Sequence, residues 1–357
     1  MKPWTPTLFL PGPVDVHPDV LAAAATPMIG HRSAAAAAML DELDHGLRPW
    51  LGVDRPVYAL TCSATLAMEA TVRNLVRRSL LVANGGVFAE RWKIAAEASG
   101  RRVVSIDVPH HLGITPEVLE HALATHDVEA VALVAVETST GVALDLDPLL
   151  DVCARYPDVF VLVDAVTAAG AMNVPGRRCD AVFTASQKAL AMPPGLTFLA
   201  LSERAIERSR TMEGRGLYAD FARVDRFHRQ GGSPFTPALP VFFAAVAQVR
   251  RLRRESVDAR FTAHRDKHRA WLERAARDFP TLCPFATSAP SVVVHASPRG
   301  VAPSVFVGRL AERHGLTVAT GVGPHEATTW RVGLLGDTSV ADIHRVADAV
   351  ADTAASF

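Results

Sequence analysis

Short, almost wholly apolar runs recur through the first two-thirds of the chain, each followed by an alanine-rich stretch with helical periodicity. Residues 56–60, 80–83, 103–106, 130–136 and 159–163 show little polar alternation, so both faces of each strand must be buried. Between them, 66–76, 88–98, 116–124 and 146–156 repeat apolar residues at helical spacing. That order predicts an α/β fold: a mainly parallel sheet with helices on both faces, and ligands beyond the carboxyl ends of its strands. The alanine runs 22–25 and 34–38 read as helix, because alanine is the best helix former. The pattern breaks at Gly231-Gly232-Ser233-Pro234-Phe235-Thr236-Pro237, and a helix follows over 241–255. After that, strands at 291–294, 317–319 and 329–332 alternate with helices. The expected organisation is a large domain, 1–255, and a small α+β C-terminal domain, 256–357.

The chain has 357 residues, of which 49% are hydrophobic and 21% charged, the range of an ordinary globular protein. Its 37 basic and 37 acidic residues cancel, so nothing in the overall charge suits a nucleic acid or an anionic membrane. Cys62, Cys153, Cys179 and Cys283 lie far apart, which predicts reduced thiols rather than disulfides or a metal site. Met1-Lys2-Pro3-Trp4-Thr5-Pro6 lacks a signal-peptide core, and no apolar run reaches membrane-spanning length. A soluble, cytoplasmic protein without metal is the expectation.

Ser186-Gln187-Lys188-Ala189-Leu190 follows a strand-like run, 180–184, and sets a lysine among small apolar residues. Burying an ammonium is costly, and one use that offsets the cost is a partly deprotonated amine that forms a Schiff base with a carbonyl. Asp164 closes the run 159–163; there it either caps the next helix or serves a pyridine nitrogen at the same crevice. Thr61-Cys62-Ser63-Ala64-Thr65 opens a helix, as a plain N-cap or as a cup of N–H groups and hydroxyls for phosphate. Phe88, beyond Asn84-Gly85-Gly86-Val87, either stacks on a flat ring or begins a helix core. Glu137-Thr138-Ser139-Thr140-Gly141 is a polar strand-end loop able to hydrogen-bond a phenolic oxygen. Arg331, inside an apolar strand, needs an anion: an internal carboxylate or a substrate's. His31-Arg32 and Arg215 either add positive charge to the site or solvate a loop.

Taken in order, these segments resemble the class V pyridoxal-phosphate aminotransferases, the group of alanine–glyoxylate, serine–pyruvate and archaeal-type phosphoserine aminotransferases. The resemblance starts at Leu10-Pro11-Gly12-Pro13-Val14 and Pro27-Met28-Ile29-Gly30-His31-Arg32-Ser33. It runs through Ala67-Met68-Glu69-Ala70, Glu90-Arg91-Trp92 and Asp164-Ala165-Val166. Ser186-Gln187-Lys188 with Pro193-Pro194-Gly195, and Trp330-Arg331-Val332-Gly333-Leu334-Leu335-Gly336, are its most specific parts. It implies fold type I, the aspartate-aminotransferase-like fold with a large, mainly parallel seven-stranded sheet, and a homodimer with shared active sites. The N-terminal segment 1–30 would contribute to the active site or dimer.

By the same resemblance, Lys188 is the Schiff-base lysine, Asp164 the partner of the pyridine nitrogen and Phe88 the stacking ring. Ser63, Ala64, Thr65 and Gln187 lie at the phosphate, and Thr138 near the phenolic oxygen. Thr236 would reach the neighbouring subunit's phosphate, while Arg331, Gly12, His31 and Arg32 would meet the substrate. The implied reaction is ping-pong transfer from alanine or serine to glyoxylate or pyruvate. Phosphoserine with 2-oxoglutarate is the alternative, favoured by Phe88-Ala89-Glu90-Arg91-Trp92 and Val72-Arg73-Asn74-Leu75-Val76, with His31, Arg32, Arg223, His228 and Arg229 as charge for a second phosphate. A cysteine desulfurase or other β-eliminating lyase fits less well: Gln187 replaces the histidine usual before the lysine, and Cys283 lies outside any reactive-loop motif. Two departures stand out. Cys62 and Ala64 replace the glycines of a Gly-Ser-Gly-Thr cup, which requires negative φ there, and Phe88 stands where several relatives carry tryptophan.

Overall fold

In the computed structural model, which describes residues 5–275 and 278–357, the apolar runs assemble into one sheet with both faces covered. Residues 1–4 of the N-terminal segment, and most of the Met1–Pro6 stretch read for a leader, lie outside the described residues. Two helices, α1 (Pro18–Ala23) and α2 (Ala34–Leu51), come first. The series then runs β1 (Val57–Thr61), α3 (Ala64–Leu75), β2 (Ser79–Asn84), α4 (Val87–Ala98), β3 (Arg102–Asp107), α5 (Pro116–Thr125) and β4 (Ala130–Val134). A short hairpin follows, β5 (Val136–Glu137) and β6 (Val142–Ala143), and then α6 (Leu146–Cys153), β7 (Phe160–Asp164), β8 (Ala181–Ala185) and β9 (Leu196–Leu201). The large sheet has the order β1-β9-β8-β7-β4-β2-β3, and within it only β9 runs antiparallel to its neighbours.

Strand β9 was not among the expected strands. Its direction follows from chain length: residues 186–195 are too few for a parallel crossover, so the chain must turn straight back. The Lys188 segment is therefore the connection of a β8–β9 hairpin at the sheet's carboxyl edge. Side chains alternate between two cores, as a doubly covered sheet requires. On β4, Ala130, Ala132 and Val134 pack with Trp92 and Phe183, whereas Val131 and Leu133 pack with Leu43 and Leu150.

Helices α7 (Glu203–Arg210) and α8 (Phe221–Arg229) were also unforeseen; α9 (Leu239–Leu252) matches the helix expected there. The C-terminal part holds α10 (Val257–Ala275), β10 (Val292–Ala296), α11 (Pro303–His314), β11 (Ala319–Thr320), β12 (Thr329–Gly333) and α12 (Val340–Ala354). Its antiparallel sheet, β10-β12-β11, covers a core of Trp271, Phe279, Phe306 and Trp330. Phe9 joins that core, and its backbone bridges Thr317 and Gly333, so the N-terminal segment reaches the lysine from the C-terminal sheet. All four cysteines are unpaired. Among the described residues no helix is long and apolar enough to cross a membrane.

His295 sits in this aromatic core with no exposed surface, and its Nε2 accepts a hydrogen bond from Trp271 Nε1 at 2.8 Å. Its Nδ1 lies 2.8 Å from Phe279 O, so the ring must be the neutral tautomer with the proton on Nδ1. Burial holds its pKa at about 4, below the ordinary 6.5. A depressed histidine contributes stability that is complete above the unfolded value and lost as pH falls toward the folded one. Urea unfolding should therefore show a loss of about 2 kcal/mol from this group between pH 7 and pH 5, and His295→Phe should lack that part of the slope.

Candidate active site

The β8–β9 connection is held in shape from Ser186. Its hydroxyl donates to Pro193 O at 2.7 Å and accepts from Leu196 N at 3.3 Å, while its carbonyl receives Met192 N at 2.9 Å. Ala191, with φ +54°, is the one non-glycine among the described residues in the left-handed region, which lets the loop fold back behind Lys188. The Lys188 side chain passes directly over Gly12. A Cβ at Gly12, whose φ is +105°, would lie 2.5 Å from Lys188 Cδ, so only glycine allows the approach. Lys188 is half-buried and lines an open cavity, and its ammonium donates to Pro11 O. Burial lowers its pKa from 10.5 to about 8, against the opposing pull of Asp164 and with help from Arg331 and Arg91.

Asp164 ends β7, and its Oδ1 accepts from Val166 N at 2.9 Å. Burial raises its pKa from 3.8 to about 6; the Val166 N–H opposes this, Glu137 adds to it, and Lys188 and Arg91 offset it. Ser63 stands before α3, and its hydroxyl makes no cap hydrogen bond, so the simple N-cap reading does not hold. Neither Cys62 nor Ala64 has positive φ, and both therefore replace glycine without backbone strain.

The polar loop serves two neighbours. Gly86, at the N-cap of α4, has no side chain, and the buried Glu137 caps that helix instead. Glu137 Oε2 accepts from Phe88 N (2.9 Å) and Ala89 N (3.1 Å), and Oε1 accepts from Ser139 N (3.1 Å) and Ser139 Oγ. Val87 N donates to Ser139 Oγ at 3.1 Å. A Cβ at Gly86 would fall 2.5 Å from Ser139 Oγ, which explains the glycine. Glu137 and Ser139 are thus consumed in holding α4, and Thr138 is the loop residue that faces the cavity.

That cavity, about 300 Å³, brings together most of the expected residues. Ser63, Ala64 and Thr65 come from the start of α3, Phe88 from α4, Thr138 from its loop, and Asp164, Gln187 and Lys188 from the sheet edge. Phe88 is half-buried on this wall and also packs against the core. Arg91 was missed as a site residue: its Nη1 donates to Thr65 Oγ1 at 3.1 Å and its guanidinium lies 4.8 Å from the Phe88 ring centre. Its position one helical turn after Phe88 was the available signal.

Arg331 stands apart from the cavity wall. Its Nε donates to Thr320 O at 2.8 Å and its Nη1 to Thr138 O at 3.3 Å, and among the described residues no carboxylate pairs with it. The internal ion pair is therefore absent. His31 and Arg32, on the turn before α2, and the exposed Thr236 do not line this chain's cavity. Of the charges considered for a second phosphate, His228 pairs with Asp44 at 3.1 Å and Arg229 with Asp225 at 2.9 Å and Glu203 at 3.1 Å. Arg215 pairs with Asp220 at 3.0 Å.

A lowered lysine, a raised carboxyl, an aromatic wall and a hydroxyl-lined helix start with a nearby guanidinium together suit a phosphorylated pyridine aldehyde. The family description Aminotransferase class-V matches residues 19–346. The soluble hydrogenase 42 kDa subunit of Anabaena cylindrica is 30% identical over 345 residues, which covers 94% of this chain and 90% of that protein. The structure of a subgroup IV aspartate aminotransferase from Thermus thermophilus superposes with TM-score 0.89 at 30% identity, covering 98% of this chain and 99% of that one. An alanine–glyoxylate aminotransferase from Nostoc sp. gives TM-score 0.92 at 26% identity, with 99% and 96% covered.

Asp164 also makes a stability prediction. Its raised pKa means that charging it opposes folding above about pH 6, and the penalty disappears as pH falls toward 3.8. In cofactor-free protein, Asp164→Asn should therefore gain about 2–3 kcal/mol at pH 8, read by chemical denaturation, and the gain should shrink between pH 6 and pH 4.

Proposed function

Since the chain belongs to the class V aminotransferases, enzymes that depend on pyridoxal 5'-phosphate, we propose that it moves the amino group of alanine or serine to glyoxylate or pyruvate in a ping-pong exchange. The observation that carries this reading is the Lys188 amine, drawn down to about 8 beside a buried Asp164 on the same cavity. The cofactor, when bound, supplies an electron-accepting ring that stabilises negative charge on the substrate's α-carbon.

Lys188 would hold the cofactor through its amine, and its Nζ would take the proton from the substrate's α-carbon and later return it. Asp164 would serve the pyridine nitrogen, and Phe88 would supply the aromatic wall beside the ring. The N–H groups of α3, the Ser63 and Thr65 hydroxyls and Gln187 would receive the phosphate, with Arg91 adding positive charge. Thr138 would serve the phenolic oxygen. Arg331, free of any carboxylate in the described chain, grips the carboxylate of the substrate. Gly12 bounds the substrate beside Lys188.

Thr236, exposed on its loop, serves the phosphate site of a second subunit in a homodimer, and any part of His31 and Arg32 in substrate binding comes across the same boundary. Residues 1–255 and 256–357 act as two domains, the smaller one bringing Arg331. Four unpaired thiols support a reducing, cytoplasmic setting. A small substrate is favoured because two of the groups considered for a second phosphate are already paired, His228 with Asp44 and Arg229 with Asp225 and Glu203. The Nostoc relative, named for alanine and glyoxylate, supports the same choice.

Purified protein should be yellow, and Lys188→Ala should lose the visible absorbance of lysine-bound cofactor. In single-turnover assays alanine and serine should convert the cofactor to its amine form at least tenfold faster than phosphoserine or glutamate. Faster conversion by phosphoserine would refute the substrate assignment; an unchanged spectrum in Lys188→Ala would refute the role of the lysine.

A further inference from the structure

A second cavity, about 340 Å³, opens between α9, α10 and the loop Gly336-Asp337-Thr338, with walls that do not overlap those around Lys188. Four cations line it, Arg251, Arg254, Arg260 and Lys267, against two carboxylates, Glu255 and Asp337. Arg260 uses both: its Nη1 lies 2.7 Å from Glu255 and its Nη2 3.1 Å from Asp337, which Arg251 Nη2 shares at 3.5 Å. Lys267 has neither. Only 1% exposed, it donates to Gly336 O and Thr338 Oγ1, each at 3.2 Å, and among the described residues no carboxylate lies within ion-pair distance of it. A buried ammonium without a counter-charge is costly, and burial draws its pKa down to about 7. The walls also hold acceptors. Asp337 draws the Gln248 amide nitrogen toward itself (3.4 Å), which leaves Gln248 Oε1 buried and unpartnered, as is His264 Nε2.

Surplus positive charge together with spare acceptors suits an anion that can also donate a hydrogen bond. We propose that this cavity binds a protonated phosphate group, free or as the end of a phosphomonoester, distinct from the phosphate cup at Ser63. Arg260 also donates to Ala189 O, one residue past Lys188, so the site touches the lysine loop.

Calorimetric titration of the cofactor-saturated enzyme in Tris chloride at pH 7.5, with the Ser63 cup filled, tests this. Inorganic phosphate should bind saturably at one site per chain. Glycerol phosphate, which has lost both protons at this pH, should match it only when the titration is repeated in Bis-Tris chloride at pH 6, where binding tighter than that of inorganic phosphate identifies a monoester as the source. Sulfate, which carries no proton at this pH, should bind at least tenfold more weakly. Lys267→Met should weaken phosphate at least tenfold while unfolding at no lower temperature than the parent, and the rim variant Arg254→Gln should weaken it severalfold, a check that stands if Lys267→Met does not fold. Absence of saturable binding, equal binding in both variants, or sulfate binding as tightly as phosphate would overturn the proposal.

Discussion

An amine and a carboxyl buried at one end of a sheet, each held away from its ordinary pKa, form the constraint on which the site depends. Burial pulls Lys188 down to about 8 and pushes Asp164 up to about 6, and each partly restrains the other. Both effects come from the protein packed around these two groups at the side of the cavity. The hairpin connection keyed by Ser186 brings the lysine there, and the N-terminal segment closes over it through Gly12 and Pro11. Charging Asp164 in this setting costs about 3 kcal/mol, which the two large hydrophobic cores on either side of the sheet offset.

The opposite wall is built from another buried carboxylate with a different task. Glu137 spends its hydrogen bonds on the start of α4, and so fixes Phe88 and, one turn on, Arg91. Helix α3 contributes free N–H groups and an uncommitted Ser63 hydroxyl, while Arg91 touches Thr65. The glycines absent from the cup are not missed in backbone terms, since neither substituted position needs positive φ. A guanidinium fixed by the neighbouring helix adds positive charge to a cup with a less open backbone.

Much of this was legible in the sequence because the relevant residues sit where apolar runs end. Asp164 ends a strand, and Thr138, Ser63 and Lys188 come within three residues of one, where a strand's end fixes a position in space. Strand β9 falls outside the strand–helix alternation that marks the others: Leu196–Leu201 follows Pro193-Pro194-Gly195 with no helical stretch between it and β8, and chain length sets its direction. Helices α7 and α8 are rich in arginine and only eight and nine residues long, too short for their apolar repeat to stand out. The division of the loop between Thr138, on the cavity, and Glu137, on the start of α4, is not legible in the sequence, because the N–H donors of Glu137 at Phe88 and Ala89 lie almost fifty residues away. His31, Arg32 and Thr236 lie outside the single-chain cavity, where a one-chain reading of position loses its hold.

The central claim is that burial beside Asp164 gives Lys188 a reactive amine near neutral pH. The rate at which cofactor-free protein captures pyridoxal phosphate, followed by absorbance as a function of pH, tests it directly, because only the free amine attacks the aldehyde. The rate should rise about tenfold per pH unit and level off near pH 8, and in Asp164→Asn, without the carboxylate that favours the ammonium, the break should move to lower pH. A rate that keeps climbing toward 10.5, the ordinary value for lysine, or a break that does not move in the variant, would contradict the account.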